Sequence, residues 1–300
     1  MSDVQKLIAD TKQWLEQEKV WDDQIYCSKE NKAVIASEAK QSVSTGQTAS
    51  SGRHTSGNPP RNDGMKADAL KTLYEKYKDC QRCPLGATRI KFVFGVGNPD
   101  SEVLFIGEGP GYEEDRRGAP FVGKAGLLLD KMIAAIGLSR QTNAYIANIV
   151  KCHAMANPQT PDARNNDRPP SPEEVEACSP ILLQQIAIMK PRVIMTLGSP
   201  STKMILHTKE GITGLRGKLV PFDVEYFYPA SVLEEVALFE EEAGKLAESK
   251  AVKIDAETRQ ALGSTQVLPT YHPAALLRNP NLKPESWTDL KLLRDTLAKP

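Results

Sequence analysis

The sequence predicts an α/β protein, a three-layer α/β/α sandwich around a short, mainly parallel four-stranded sheet. Two observations carry that expectation. Four short apolar runs lie between residues 103 and 272, and a helix-like segment separates each from the next. Strands that alternate with helices pair in parallel and take helices on both faces.

In chain order, residues 4–21 place Leu7, Ile8, Leu15 and Trp21 among charges at roughly helical spacing, which predicts an accessory helix within residues 1–27. Residues 28–65 are rich in Ser, Gly and Thr and hold too little apolar surface to offset ordering, so they read as a flexible linker. The main domain then spans 66–300. "ALKTLYEKYKDC" is helical and runs into C-x2-C. The strand "VLFIG" (103–107) follows, then a helix over 125–137, the strand "AYIANIV" (144–150) and a helix over 171–189. "RVIMTLG" (192–198), a helix over 199–206, "QVLPTYH" (266–272) and a last helix from "WTDLKLLRDTLA" complete the pattern. An acidic stretch of helical spacing at about 221–263 reads as an inserted surface helix or two. No internal repeat is present.

Bulk properties exclude little. The chain has 300 residues, 40% hydrophobic and 25% charged, and its 38 basic and 38 acidic residues cancel. A local basic groove can coexist with acidic surface elsewhere, so zero net charge does not decide about nucleic acid. No run approaches the roughly 18 to 20 apolar residues that span a bilayer, and the first residues lack the apolar core of a signal peptide. The expected location is the cytoplasm, without membrane association. Thiols stay reduced there, so the five cysteines read as metal ligands or reactive groups rather than disulfides.

Ligands of open parallel sheets bind beyond the carboxyl ends of the strands. Those ends carry Glu108 to Asp115, Asn148 with Cys152, Ser199 with Ser201, and His272. The turn "GEGPGYEED" (107–115) begins like a phosphate cradle, yet three carboxylates occupy the helix start where phosphate would sit. Pro110 removes an amide, and the spacing is G-x-G-x-G. A dinucleotide site is therefore disfavoured, and Glu113 and Asp115 read as helix-capping acids.

The segments GEGPGYEEDRRGAPFVGKAGLLLDKM, IANIVKC and TYHPAALLRNP together resemble the iron–sulfur, or family 4, uracil-DNA glycosylases. The resemblance runs from about residue 70 to the C-terminus, omitting the acidic stretch. It implies the uracil-DNA glycosylase-like sandwich and a DNA repair enzyme that flips uracil out of single- or double-stranded DNA. Such an enzyme hydrolyses the N-glycosidic bond and leaves an abasic site for base excision repair.

Carried over residue by residue, the resemblance makes Phe121 the aromatic that stacks on uracil and Asn148 the amide that reads its edge. His272 becomes the donor to the departing base. Glu108, Gly109 and Pro110 correspond to the loop that lines the pocket and positions water, so the catalytic set is His272, Glu108 and Gly109. Glu114 would crowd the C5 position against thymine. Family 4 usually has alanine at Gly109, and the first family has a water-orienting aspartate there; neither stands here. Leu276 or Leu277 would fill the gap left by the extruded base, while Arg278, Arg216 and Lys218 would contact DNA.

Cys80, Cys83, Cys152 and Cys178 make four thiolates for one tetrahedral or cubane site, and spacing alone leaves zinc and iron open. The resemblance implies a [4Fe-4S] cluster, although its last two cysteines lie closer together in the family than here, where residues 153–177 intervene. Cys27 reads as a bystander. No lysine stands in a Schiff-base motif, so a monofunctional enzyme is expected, and "GITGLRGKLV" lacks the histidine of relatives that trap the sugar covalently. A monomer associated with the nucleoid is expected, with residues 1–65 as the place for a repair or replication partner. The alternatives are a superfamily member acting on another deaminated base, or a non-catalytic iron–sulfur DNA-binding protein.

Overall fold

The computed structural model describes residues 64–228 and 254–299. The expected accessory helix and nearly all of the linker lie outside the described residues, as does the middle of the acidic stretch. Six strands form one sheet: β1 (Val96–Gly97), β2 (Val103–Gly107), β3 (Tyr145–Asn148), β4 (Val193–Leu197), β5 (Val220–Pro221) and β6 (Gln266–Thr270). Their order is β1-β3-β2-β4-β6-β5. The four central strands are parallel and are the four apolar runs of the sequence, while β1 and β5 add antiparallel edges. The sheet is thus six-stranded rather than four-stranded. Each edge strand has two residues, too few to carry a pattern, and Pro221 sits at an edge because it has no N–H to donate to a ladder.

All residues of β2 and β4 are buried, since helices cover both faces. The period-2 pleat divides them between two apolar layers. Leu104, Ile106, Ile194 and Val267 pack with Leu70 and Leu73 of the helix Met65–Tyr77 and with Ile181, Leu182 and Ile186 of the helix Pro172–Met189. Val103, Phe105, Met195 and Leu268 face Leu129 and Ile133 of the helix Lys124–Ala134 and Leu290 and Leu293 of the helix Lys283–Leu297. The expected three layers are therefore present.

The flanks of the acidic stretch belong to the core. Phe222, Phe227, Tyr228, Ile254 and Leu262 are buried in the first layer, and the Tyr228 hydroxyl donates to the Leu183 carbonyl at 2.6 Å. No helix among the described residues is long and apolar enough to cross a membrane. Register brings the strand ends level: Gly107 lies opposite Asn148, and Leu197 opposite Thr270. The glycine turn, Asn148 and His272 consequently share one edge.

Candidate active site

A cavity of about 370 Å³ opens at that edge. It is lined by Glu108, Gly109 and Pro110 from the turn after β2, by Glu114 of the helix Tyr112–Arg117, by Phe121, by Asn148 at the end of β3 and by His272 after β6. All seven residues expected around the base are brought together.

Asn148 is 2% exposed, and its Oδ1 has no hydrogen-bond partner. A buried acceptor left unsatisfied is costly, so one at the wall of a polar cavity marks a place for a donor from a ligand. Gly107 makes the room for it. A Cβ there would lie 2.5 Å from Asn148 Oδ1 and 2.6 Å from Phe121 Cζ.

Phe121 has φ +53°, a left-handed conformation that a bulky residue adopts only when its surroundings impose it. Arg140 imposes part of it, donating to the carbonyls of Pro120 and Phe121 at 2.9 Å each while its Nε bonds Asp130 at 2.8 Å. Gly126 supplies the rest. A Cβ at that position would sit 1.8 Å from the Phe121 carbonyl oxygen, so the helix Lys124–Ala134 can seat against the Phe121 backbone only with glycine. The ring ends 5.4 Å, centroid to centroid, from the His272 imidazole.

His272 is the N-cap of the helix Pro273–Arg278. The Ala274 backbone N–H donates to its Nδ1 at 3.1 Å, which makes Nδ1 an acceptor and leaves the proton of the neutral ring on Nε2. Burial, helped by the nearby positive Arg278, lowers its pKa to about 4. The ring is thus a neutral donor at the wall of the cavity.

The turn after β2 is braced by Glu114. Its Oε1 accepts from the Val122 and Gly123 N–H groups at 2.9 Å each, and its Oε2 from Gly111 at 3.3 Å. The carboxylate therefore ties the glycine turn to the loop carrying Phe121. Gly109 fits its neighbour closely, since a Cβ there would come within 2.8 Å of Val150 Cγ2. Burial raises the pKa of Glu108. Asp115 is no mere cap: it is fully buried and accepts from the Ile90 and Lys91 N–H groups at 2.9 and 3.3 Å.

One wall was not foreseen. The extension after Cys152 curls back so that Asp167, Arg168 and Pro170 line the cavity. Asp167 bonds the buried His153 at 2.6 Å, and the other His153 nitrogen lies 3.6 Å from Asp115. Burial alone would lower the His153 pKa, but the two carboxylates outweigh it and raise the value to about 9. The usable signal was "DRPPSPEE": Arg168 pairs with Glu174 at 2.7 and 2.8 Å, and Glu174 closes the capping box of Ser171.

Residues 94–291 match the Uracil DNA glycosylase superfamily. This chain belongs to that superfamily. It is 36% identical over 238 residues to a Type-4 uracil-DNA glycosylase of Sulfurisphaera tokodaii, covering 78% of this chain and 87% of the relative. It is 34% identical over 215 residues to that of Thermotoga maritima (71% and 86%). Against that of Archaeoglobus fulgidus it is 32% identical over 232 residues (77% and 95%). The family 4 resemblance read from the motifs is thereby borne out.

The four cysteines of this superfamily member come from three distant segments and meet in the first apolar layer. Cys152 and Cys178 are buried, with Cys80 and Cys83 half-buried against them. The Lys151 N–H donates to Cys178 Sγ at 3.3 Å, and Arg89 reaches Cys152 Sγ at 3.5 Å and the Cys80 carbonyl at 2.6 Å. Such donors suit sulfur that carries negative charge. In the absence of a metal, burial pushes the Cys152 and Cys178 thiols up to about 12 and about 11. Among the described residues no three His, Cys, Asp or Glu side chains stand at the spacing of a single-ion site. The donor chemistry, four thiols with N–H groups directed at two of them, Cys152 and Cys178, fits an iron–sulfur group.

The expected DNA contacts divide. Leu276 is 1% exposed and packs in the second layer, so it is a core residue and not a wedge, whereas Leu277 is 47% exposed. Arg216 is also corrected. Its guanidinium bonds both oxygens of the fully buried Asp289, at 2.5 and 3.1 Å, and the Glu285 carboxylate at 3.3 Å. Lys218 and Arg278 lie at exposed positions, with Lys218 Nζ on the Gly214 carbonyl at 2.8 Å.

Proposed function

We propose that this chain is a DNA repair enzyme that hydrolyses the N-glycosidic bond of uracil in DNA and leaves an abasic site. Membership of the superfamily and the named function of its relatives support the activity. The observation that carries the site assignment is the buried Asn148 amide, its Oδ1 unpaired, facing a cavity walled by Phe121 and His272.

Uracil extruded from the stack lies against Phe121. Asn148 Oδ1 accepts from N3–H, and its amide N–H donates to O4. Cytosine presents an acceptor at N3 and donors at position 4, so it leaves both Asn148 groups mismatched. As the C1′–N1 bond breaks, its electron pair stays on the base, and His272 Nε2–H donates to O2 where the negative charge collects. An oriented donor to charge that appears only in the transition state contributes about 3 kcal/mol. A water oxygen then bonds to C1′ and releases its proton. The Glu108–Pro110 turn provides the backbone groups beside that water.

Cys80, Cys83, Cys152 and Cys178 would hold a [4Fe-4S] cluster. When bound, such a group cross-links three chain segments and supplies structural rather than hydrolytic chemistry. Uracil-containing DNA is the partner, bound through Leu277, Arg278 and Lys218, by a monomer at the nucleoid.

The test uses an end-labelled single-stranded oligonucleotide with one uracil, incubated with protein purified with its metal. Strand cleavage at that site only after hot alkali is the expected result. An intact strand after alkali would move the assignment to another deaminated base or to a binding protein.

A further inference from the structure

The amide that faces the cavity is held from behind by a residue with no part in the reaction above. Lys151 is fully buried. Its Nζ donates to the Asn148 carbonyl at 2.8 Å and to Gln185 Oε1 at 2.6 Å. Gln185 is itself fully buried and donates to the Phe94 carbonyl at 3.1 Å. The Lys151 backbone is fixed as well, its N–H on Cys178 Sγ and its carbonyl accepting from Val93 at 2.9 Å.

Lysine is almost never fully buried unless its ammonium is hydrogen-bonded or paired. Methionine would fill the same space without that demand, so the position uses the donor and not the volume. Among the described residues, the donor reaches the carbonyl of the cavity residue whose buried side-chain acceptor is unpaired. The peptide after Asn148 is held by β2 on its N–H side, where Ile149 N–H donates to the Gly107 carbonyl at 3.0 Å, and Lys151 holds its carbonyl side.

We propose that Lys151 is a positioning residue for base selection. By fixing the Asn148 carbonyl it sets the direction in which the amide meets the base edge, and its own N–H ties that direction to the cysteine centre. The inference rests on Asn148 as the base-reading group.

The experiment compares wild type, Lys151→Met, Gln185→Leu and Asn148→Ala, each purified with its metal. Iron per chain is measured first. Equilibrium affinity is then measured for single-stranded oligonucleotides carrying one uracil or one cytosine on a non-hydrolysable 2′-fluoroarabino sugar. Asn148→Ala is expected to abolish the uracil preference. Lys151→Met is expected to lower it at least roughly tenfold, with iron content and affinity for undamaged DNA unchanged. Gln185→Leu, which removes one of the two acceptors that orient Nζ, is expected to lower it about threefold. A uracil preference retained in Asn148→Ala would overturn the assignment of Asn148. A preference lost there but kept within twofold in Lys151→Met would overturn the role of Lys151. If Lys151→Met does not fold with its metal, an unchanged preference in Gln185→Leu overturns it instead.

Discussion

An added methyl at Gly107 would meet Asn148 Oδ1 and Phe121 Cζ at once, both nearer than 3 Å. Neither neighbour can give way without leaving the wall of the cavity. Gly107→Ala should therefore cost roughly 100-fold in kcat/KM, as a misplacement of about 1 Å does, with about 2 kcal/mol of stability lost to overpacking. Single-turnover cleavage and urea unfolding check the two halves. His272 yields a pH prediction of definite sign. Its folded pKa of about 4 lies below the ordinary 6.5, so the unfolded chain binds a proton that the folded chain refuses between those values. Stability from this group is fully present above pH 6.5 and is lost as pH falls through 4. The urea midpoint should drop over that window, and His272→Gln should flatten the drop while lowering kcat by about 100- to 1000-fold. Asn148, Phe121 and His272 were legible in the sequence because each belongs to a short contiguous motif. Asp167 and Lys151 were not, because what they touch lies in other segments or behind the strand.

At the scale of elements, ion pairs decided what charge patterning could not. "GITGLRGK" supplies two cations on a loop, and only packing distinguishes the exposed Lys218 from Arg216, which neutralises Asp289. Removing Arg216 leaves that carboxylate buried and uncompensated. Arg216→Ala should lower unfolding stability by about 3 kcal/mol, with DNA affinity of the folded fraction changed less than twofold, read by urea unfolding and anisotropy. The helix Pro172–Met189 shows the opposite case. Ser171, Pro172 and Glu174 spell a capping box in sequence, and the structure holds it, with Ser171 Oγ accepting from Glu174 N–H at 3.3 Å and Glu174 returning the bond at 2.7 Å. Ser171→Ala should cost about 1 kcal/mol in urea unfolding. That start orients the helix that carries Cys178 inward. The intervening extension, which separates Cys178 from Cys152 in sequence, bends round as the cavity wall and leaves the cysteine within reach.

At the scale of the whole described molecule, the cysteines and the cavity share the segment after β3, where Val150 and Ala154 line the cavity and Cys152 stands between them in sequence. One cross-link through Cys80, Cys83, Cys152 and Cys178 would thus hold the helix Met65–Tyr77, the end of β3 and the helix Pro172–Met189 together. The proposed iron–sulfur group predicts a brown protein whose colour Cys178→Ser abolishes, with Tm lowered by about 10 °C or more, measured by absorbance and thermal unfolding. The sequence by itself determined the parallel core and the strand ends, and its motifs named the three side chains, Phe121, Asn148 and His272, that meet at the cavity. Apolar runs, glycine turns and short motifs are local, and the rule that ligands bind beyond strand ends turns local order into place. Tertiary structure alone decided the two edge strands, the inward turn of Arg216 and Leu276, the wall built by residues 153–170 and the clamp of Lys151 on Asn148. Those depend on which distant atoms a side chain meets once the sheet has closed between its two helical layers, and burial then converts a charge or an amide from a solvated group into one that must find a partner.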